Sequence, residues 1–229
     1  MSEAAVFFDV DGTLVGRHIV HQFIYIRRQM LPRLLRPLWT GAFLAKTPYY
    51  LLLDKLSRTR LNVVFYRNYA GLPCDRVRSL ADRCFEAVVR PHLFNEAHDC
   101  IAEHRGAGRR LVLVTGSLDF IMEPLAKHLG ADACIAPSLV VEGDHFTGEL
   151  DGPPVGSSEK ATRIKAFAHR ESVDLAASYA YGDSISDLPM LHEVGHPNVV
   201  NPDKSLAATA RRSGWPIHQW SCVGGVPAA

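Results

Sequence analysis

The sequence predicts an α/β protein, a doubly wound parallel sheet with an inserted all-helical segment, and three observations carry that prediction. Short apolar runs rich in β-branched and aromatic residues recur along the chain, each ending in a small-residue turn, as buried strands do. From residue 89 onward these runs alternate with helix-periodic stretches, the order that builds a parallel sheet. Residues 17–88 lie between the first run and the second, break the alternation and read as helical throughout.

Ala4 to Val10 (AAVFFDV) is the first strand, turning at Asp11-Gly12. In the helical segment, Pro32, Pro37 and Pro48 cut the chain into short helices, and apolar residues from Phe23 to Leu44 give it an apolar face. Its place between two strands sets it over the carboxyl end of the sheet, where open α/β sheets bind ligands. The predicted division is therefore a core of residues 1–16 and 89–229 and a helical cap of residues 17–88. Arg110 to Thr115 (RLVLVT) is the second strand, followed by the Gly116-Ser117 turn and a helix over Leu118 to Leu129 that Gly130 stops. Ala133 to Ile135 is a short strand, and Leu139 to Val141 with Phe146 to Gly148 make a hairpin. Ser157 or Ser158 caps a helix to about Arg170; Ser178 to Tyr181 is a strand ending at Gly182-Asp183; Ser186 begins a short helix to about Val194. Asn198 to Val200 is the last core strand, and Trp215 to Trp220 a C-terminal strand covering the core.

Composition limits what such a chain does. With 229 residues, 47% of them apolar and 21% charged, it carries enough apolar surface for a core, which excludes a disordered or fibrous protein. Five cysteines without a C-x-x-C pair exclude a disulfide framework and a thiolate zinc site, and fit a reducing compartment. The N-terminus lacks the features of a signal peptide, so a cytoplasmic location is expected. The net charge of +1 hides an asymmetry: residues 17–60 hold nine Lys/Arg against Asp54 alone, a segment of +8 in a chain whose remainder is −7.

Asp9-Val10-Asp11-Gly12-Thr13 sets two carboxylates two residues apart at a strand end, on one side of an extended chain. Thr115-Gly116-Ser117 follows the second strand, Lys160 opens a helix, and Gly182-Asp183-Ser184-Ile185-Ser186-Asp187 follows a later strand. Four acids converging from these places would carry −4, which a protein tolerates only with cations beside them. His18 with His21, and His192 with His196, have ligand-like spacing, but no third ligand follows and they read as packing or surface residues.

This ordered set, DVDGT, VTG, Lys160 and YGDSISDLPML, resembles the haloacid dehalogenase superfamily, and within it the phosphatases with a helical cap after the first motif, the group that includes phosphoserine phosphatase. The resemblance implies a Rossmann-like core and a phosphoric monoester hydrolase. It makes Asp9 the nucleophile that becomes an aspartyl-phosphate, and Asp11 the acid that protonates the leaving alkoxide and then activates water. It implies Mg²⁺ held by Asp9, Asp183 and the carbonyl of Asp11, with Asp187 and Ser186 behind them. Lys160, the Thr115 hydroxyl and the Gly116 and Ser117 amides would bind the phosphoryl oxygens. Asp11 itself points away from dehalogenases, which lack an acid there.

Where the phosphoserine enzymes carry a glutamate for the substrate ammonium, this chain has His18 flanked by Arg17, and the +8 neighbourhood suits an anionic substrate better than an amine. The expected substrate is a small soluble phosphomonoester, because apolar helical stripes are ordinarily core. The alternative is a phosphorylated lipid met at an anionic membrane surface, with the protein peripheral at the inner face, since basic residues beside Trp, Phe, Tyr and Leu are what interfacial helices use. A second alternative is a non-catalytic phosphate-ligand or partner-binding protein. Nucleic acid is not an expected partner.

Overall fold

The computed structural model describes residues 3–16 and 19–221. β1 (Ala5–Phe8) is the hub of the sheet, buried along its whole length and paired on both edges. After it come α1 (Ile19–Met30), α2 (Arg36–Leu44), α3 (Thr47–Leu56), α4 (Arg58–Tyr66), α5 (Cys74–Arg78) and α6 (Ala81–Cys84). α7 (Asn95–Gly106) leads to β2 (Arg110–Val114), α8 (Asp119–Leu129) to β3 (Ala133–Ile135), and the pair β4 (Leu139–Glu142) and β5 (His145–Leu150) follows. α9 (Ser158–Glu171), β6 (Tyr179–Gly182), α10 (Leu188–Leu191), β7 (His196–Val200), α11 (Lys204–Ser213) and β8 (Ile217–His218) complete the described chain.

Six parallel strands form one sheet in the order β3-β2-β1-β6-β7-β8. The chain winds outward from β1 to β3, then restarts at β6 on the other edge of β1, so the order reverses between β1 and β6. That reversal leaves a crevice at the carboxyl ends of these two strands. Strand alternation sends Val6 and Phe8 into one apolar cluster with α7 and α8, and Ala5 and Phe7 into another with α9, α10 and α11.

The segment between β1 and β2 is helical, as expected, and the prolines act as helix starters: Pro37 and Pro48 sit in the first turns of α2 and α3, where a missing N–H costs nothing. Its apolar face divides. Phe23, Ile26, Met30 and Phe43 are buried in the cluster below β1, whereas Leu34, Leu35, Leu38 and Leu44 face solvent, so the premise that the stripe is core holds for only part of it. The β4–β5 hairpin has a role the sequence did not suggest. It stands apart from the main sheet and clamps the helical segment through Gly71 N to Phe146 O (2.8 Å), Phe146 N to Leu72 O (3.0 Å) and Cys74 N to Asp144 O (2.8 Å).

One local expectation needs correction. Ser157 stands at the N-cap of α9 without a side-chain capping bond. The C-terminal strand is only two residues long and extends the sheet edge beside β7, while Trp215 and Ile217 pack against one core cluster and Trp220 is buried in the other, so the segment covers the core as expected.

His104, buried in α7, shows how the first cluster handles a polar group. Arg109 Nη1 lies 3.1 Å from its Nδ1, and a guanidinium only donates, so Nδ1 accepts and Nε2–H is left to donate to the Tyr181 hydroxyl at 3.0 Å. A proton on Nδ1 would be both buried and set against Arg109, and these two effects lower the imidazole to about 4. The unfolded chain takes up that proton first, so this contribution is complete above about pH 6.5 and drains away as the pH falls toward 4. Between pH 7 and 4.5 the wild type should lose on the order of 2 kcal/mol more unfolding free energy than His104→Gln, read from urea titrations; equal losses would contradict this.

Candidate active site

The crevice between β1 and β6 is where the carboxylates meet. Backbone pairing continues one residue past β1, Asp9 N donating to Tyr181 O at 3.0 Å, so the Asp9 side chain leaves the sheet in a fixed direction. Asp9 is 4% exposed. Lys160, in the first turn of α9 and equally buried, donates to Asp9 Oδ1 at 2.5 Å and to Asp187 Oδ1 at 2.7 Å. Thr13 Oγ1 donates to Asp9 Oδ2 at 3.1 Å. Gly12 has φ +102°, and a Cβ there would lie 2.2 Å from Asp183 Oδ2; only glycine lets the first loop pass against the loop after β6.

That second loop is shaped by a reciprocal cap. Ser184 and Asp187 form a capping box, and Asp187 Oδ2 also accepts from Asp183 N at 3.3 Å. With Oδ1 on Lys160 and Oδ2 on backbone amides, Asp187 is saturated by protein. Ser186 Oγ shares a 2.6 Å hydrogen bond with Ser184 Oγ. Asp183, by contrast, has only long contacts, from Thr13 Oγ1 and Arg58 Nη1, both at 3.5 Å.

Asp11 lies across the site. Its Oδ2 accepts from Ser117 Oγ at 2.6 Å and Thr115 Oγ1 at 3.3 Å, and its Oδ1 is buried without a hydrogen-bond partner among the described residues. Here the geometry departs from expectation: the Thr115 hydroxyl is turned to Asp11, and the Ser117 amide donates to Thr115 Oγ1 at 2.9 Å. Arg17 and His18, expected to set specificity, lie outside the described residues.

Three residues of α4 enter the site from above without having been expected there. Arg58 reaches Asp183 and Ser184, the Tyr66 hydroxyl donates to Gly116 O at 2.6 Å, and Asn62 Nδ2 donates to the same carbonyl at 3.4 Å. A Cβ on Gly116 would lie 2.4 Å from Asn62 Nδ2 and 3.2 Å from Val155 O, so any side chain there would displace the Asn62 contact. These partners are 50 to 126 residues away in sequence, beyond the reach of any local pattern. Helical segment and sheet together enclose a cavity of about 420 Å³, with Asp9, Asp11 and Lys160 at its base and Ile19, Ile24, Leu44, Tyr50, Leu51 and Leu61 on its walls.

The charges are unevenly matched. Burial pushes the Asp9 carboxyl up; Lys160 opposes that, and repulsion from Asp187 and Asp11 restores it. Burial and then the Asp9 charge carry Asp183 well above the ordinary range, with Arg58 opposing. Asp187 goes the other way, Lys160 overcoming the burial penalty. Lys160 and Arg58 are both raised: the acids outweigh the cost of burying them. The site therefore holds more negative charge than its two cations satisfy. Carboxylate oxygens of Asp9, Asp183 and Asp187 approach within 4.8 Å of one another, a donor set suited to a hard divalent cation. Since Asp187 is already committed, Asp9 and Asp183 are the ligands left to offer.

The family model of haloacid dehalogenase-like hydrolases matches residues 6–192. A Mycobacterium tuberculosis protein named a probable phosphatase is 35% identical over 228 residues, covering 96% of this chain and 76% of that protein. The inhibition of morphological differentiation protein of Streptomyces azureus is 33% identical over 223 residues, covering 95% and 78%. Among solved structures, a Bordetella pertussis Tohama I protein of unknown function superposes with a TM-score of 0.79 at 22% identity, covering 95% of this chain and 99% of the other. A phosphoserine phosphatase in a phospho-aspartyl intermediate analogue superposes with a TM-score of 0.69 at 19% identity, covering 97% and 95%; at these identities the two show the fold. With the family model spanning most of the chain and relatives a third identical along nearly all of it, the protein belongs to the haloacid dehalogenase-like hydrolases.

Proposed function

We propose that this protein is a Mg²⁺-dependent phosphomonoesterase in which residues 17–88 cap a catalytic core of residues 1–16 and 89–229, and in which Asp9 is the nucleophile. The observation that carries the reading is the pairing of two carboxylates with opposite environments at one strand end. Asp9 is buried and pinned by Lys160 and Thr13, as a nucleophile must be to meet phosphorus in line. Asp11 keeps one oxygen on two hydroxyls and leaves the other, Oδ1, without a partner among the described residues, as suits a proton-transfer group.

In the first step an Asp9 carboxylate oxygen attacks phosphorus, the P–O bond to the leaving group breaks, and the proton on Asp11 Oδ1 passes to the departing alkoxide. In the second step Asp11 takes a proton from water, the oxygen of that water attacks the aspartyl-phosphate at phosphorus, and inorganic phosphate leaves with Asp9 restored. Dividing the displacement in this way replaces one difficult step by two easier ones. Lys160 holds Asp9 in a single rotamer and masks its charge from the phosphate dianion. Bound by the Asp9 and Asp183 carboxylates and the Asp11 carbonyl, Mg²⁺ would neutralise phosphate charge. Asp187 holds Lys160 and the backbone of the Asp183 loop in place. The Mycobacterium tuberculosis relative named a probable phosphatase supports phosphate-ester hydrolysis.

Three outcomes test this. Asp9→Asn should fold as the wild type does and lose all but a few per cent of kcat on any phosphomonoester, including a generic aryl phosphate; a fully active variant removes Asp9 from the reaction. Asp11→Asn should slow hydrolysis by about 10²–10⁴-fold, and phosphoenzyme found on residue 11 would reverse the two roles. Mg²⁺ at 100 times its Kd should stabilise the wild type by about 2.7 kcal/mol in thermal unfolding, and Asp183→Asn should abolish the shift; an undiminished shift in that variant places the cation elsewhere.

A further inference from the structure

Eight of the ten large apolar side chains exposed among the described residues fall between Leu34 and Leu56. Scattered exposed leucines are ordinary; this concentration marks a surface made for another phase or partner. Leu34 is 91% exposed, Leu38 74%, Leu52 56% and Leu56 67%. In α3 the cause is plain from spacing. Tyr50 and Leu53 turn inward, while Tyr49, Leu52 and Leu56, at i, i+3 and i+7, share the opposite face. The helix is apolar on both sides, yet only one side is covered by the described residues.

Charge says what covers the other. Arg33, Lys46 and Lys55 stand within this same stretch of sequence, are exposed and form no ion pair among the described residues. The acid of the stretch, Asp54, faces Arg58 at 4.0 Å. Exposed leucines and a tyrosine interspersed along the chain with unneutralised cations match the headgroup and acyl layers of an anionic bilayer. No described helix is long and apolar enough to cross a membrane, so the match is to its surface.

The leucine face is joined to the active site. Leu44 and Leu51, 49% and 58% exposed, also line the cavity whose base is Asp9 and Asp11. Ile19, Ile24, Tyr50 and Leu61 continue the apolar wall between them. Building on the phosphomonoesterase reading, we infer that the substrate is the phosphate monoester of a single-chain lipid drawn from an anionic bilayer: its phosphoryl group sits against Asp9, its chain runs along this wall, and the leucines of α2 and α3 rest in the interface.

A series of n-alkyl phosphates, each below its micelle concentration, separates the levels of the argument. Burial of each added methylene should raise kcat/KM about fourfold until the chain leaves the cavity. A flat series with butyl phosphate still hydrolysed overturns the lipid inference alone, whereas no hydrolysis of any member overturns the phosphatase reading beneath it. The wild type should sediment with phosphatidylglycerol vesicles at low salt. Leu38→Gln/Leu52→Gln/Leu56→Gln, outside the cavity, should weaken that binding about tenfold or more and lose single-chain phosphate hydrolysis in the vesicles, with butyl phosphate turnover unchanged. Should that variant not fold, Arg33→Gln/Lys46→Gln/Lys55→Gln should lower vesicle affinity about fivefold per charge at low salt and far less at high salt. Wild-type protein that ignores the vesicles, or a dimer that the leucine variant dissociates, would overturn the inference, the latter by showing a second copy on this face.

Discussion

A single buried ammonium, Lys160, bridges Asp9 and Asp187, and the site depends on that bridge. Parallel pairing of β1 with β6 brings the ends of both strands together, and with them the carboxylates that follow each strand. Left alone, such a cluster would repel itself and take up protons. Lys160 prevents this on one side; Arg58, reaching down from α4, opposes it on the other. Asp183, held by the weaker of these contacts, is pushed furthest from its ordinary state by burial and by Asp9. Carboxylate oxygens of Asp9, Asp183 and Asp187 make a donor set suited to a hard divalent cation, and breaking a buried pair such as Lys160–Asp9 without replacement costs about 3–5 kcal/mol.

The helical segment is held by the same core that supports the sheet. Phe23, Phe43, Phe65 and Tyr69 pack ring against ring, and Tyr69 passes the contact to Phe120 of α8 and Phe146 of β5. One apolar cluster therefore runs from beneath β1 to the roof of the cavity. This rigid inner face fixes Arg58, Asn62 and Tyr66 over the site, while the outer faces of α2 and α3 are free to meet something else.

How much of this was legible in the sequence depended on how local each cause is. β1, β2 and α8 follow from apolar runs and from a glycine stop at Gly130, so their placement could be read directly. Asp9, Asp11, Asp183 and Asp187 were legible because strand ends in an open sheet converge, and Lys160, which opens a helix, from the family resemblance; the structure brings all five together. Arg58, Asn62 and Tyr66 were not, because an arginine after a capping serine looks the same whether it faces solvent or a carboxylate across the fold. The turn of Thr115 toward Asp11 was also hidden, since a hydroxyl's partner is chosen by tertiary geometry. Leu34, Leu35 and Leu38 misled for a related reason: an apolar stripe states that something must cover it, without saying whether that is this chain.

The central claim is that Asp9, alone among the clustered carboxylates, bonds to phosphorus during turnover. Borohydride reduction of enzyme quenched during turnover of a phosphomonoester, followed by peptide mass spectrometry, tests it most directly. The account predicts reduction of the aspartyl-phosphate to homoserine at position 9, with Asp11, Asp183 and Asp187 unmodified. Homoserine at position 11, or turnover with no reducible acyl-phosphate at any of the four, would contradict it.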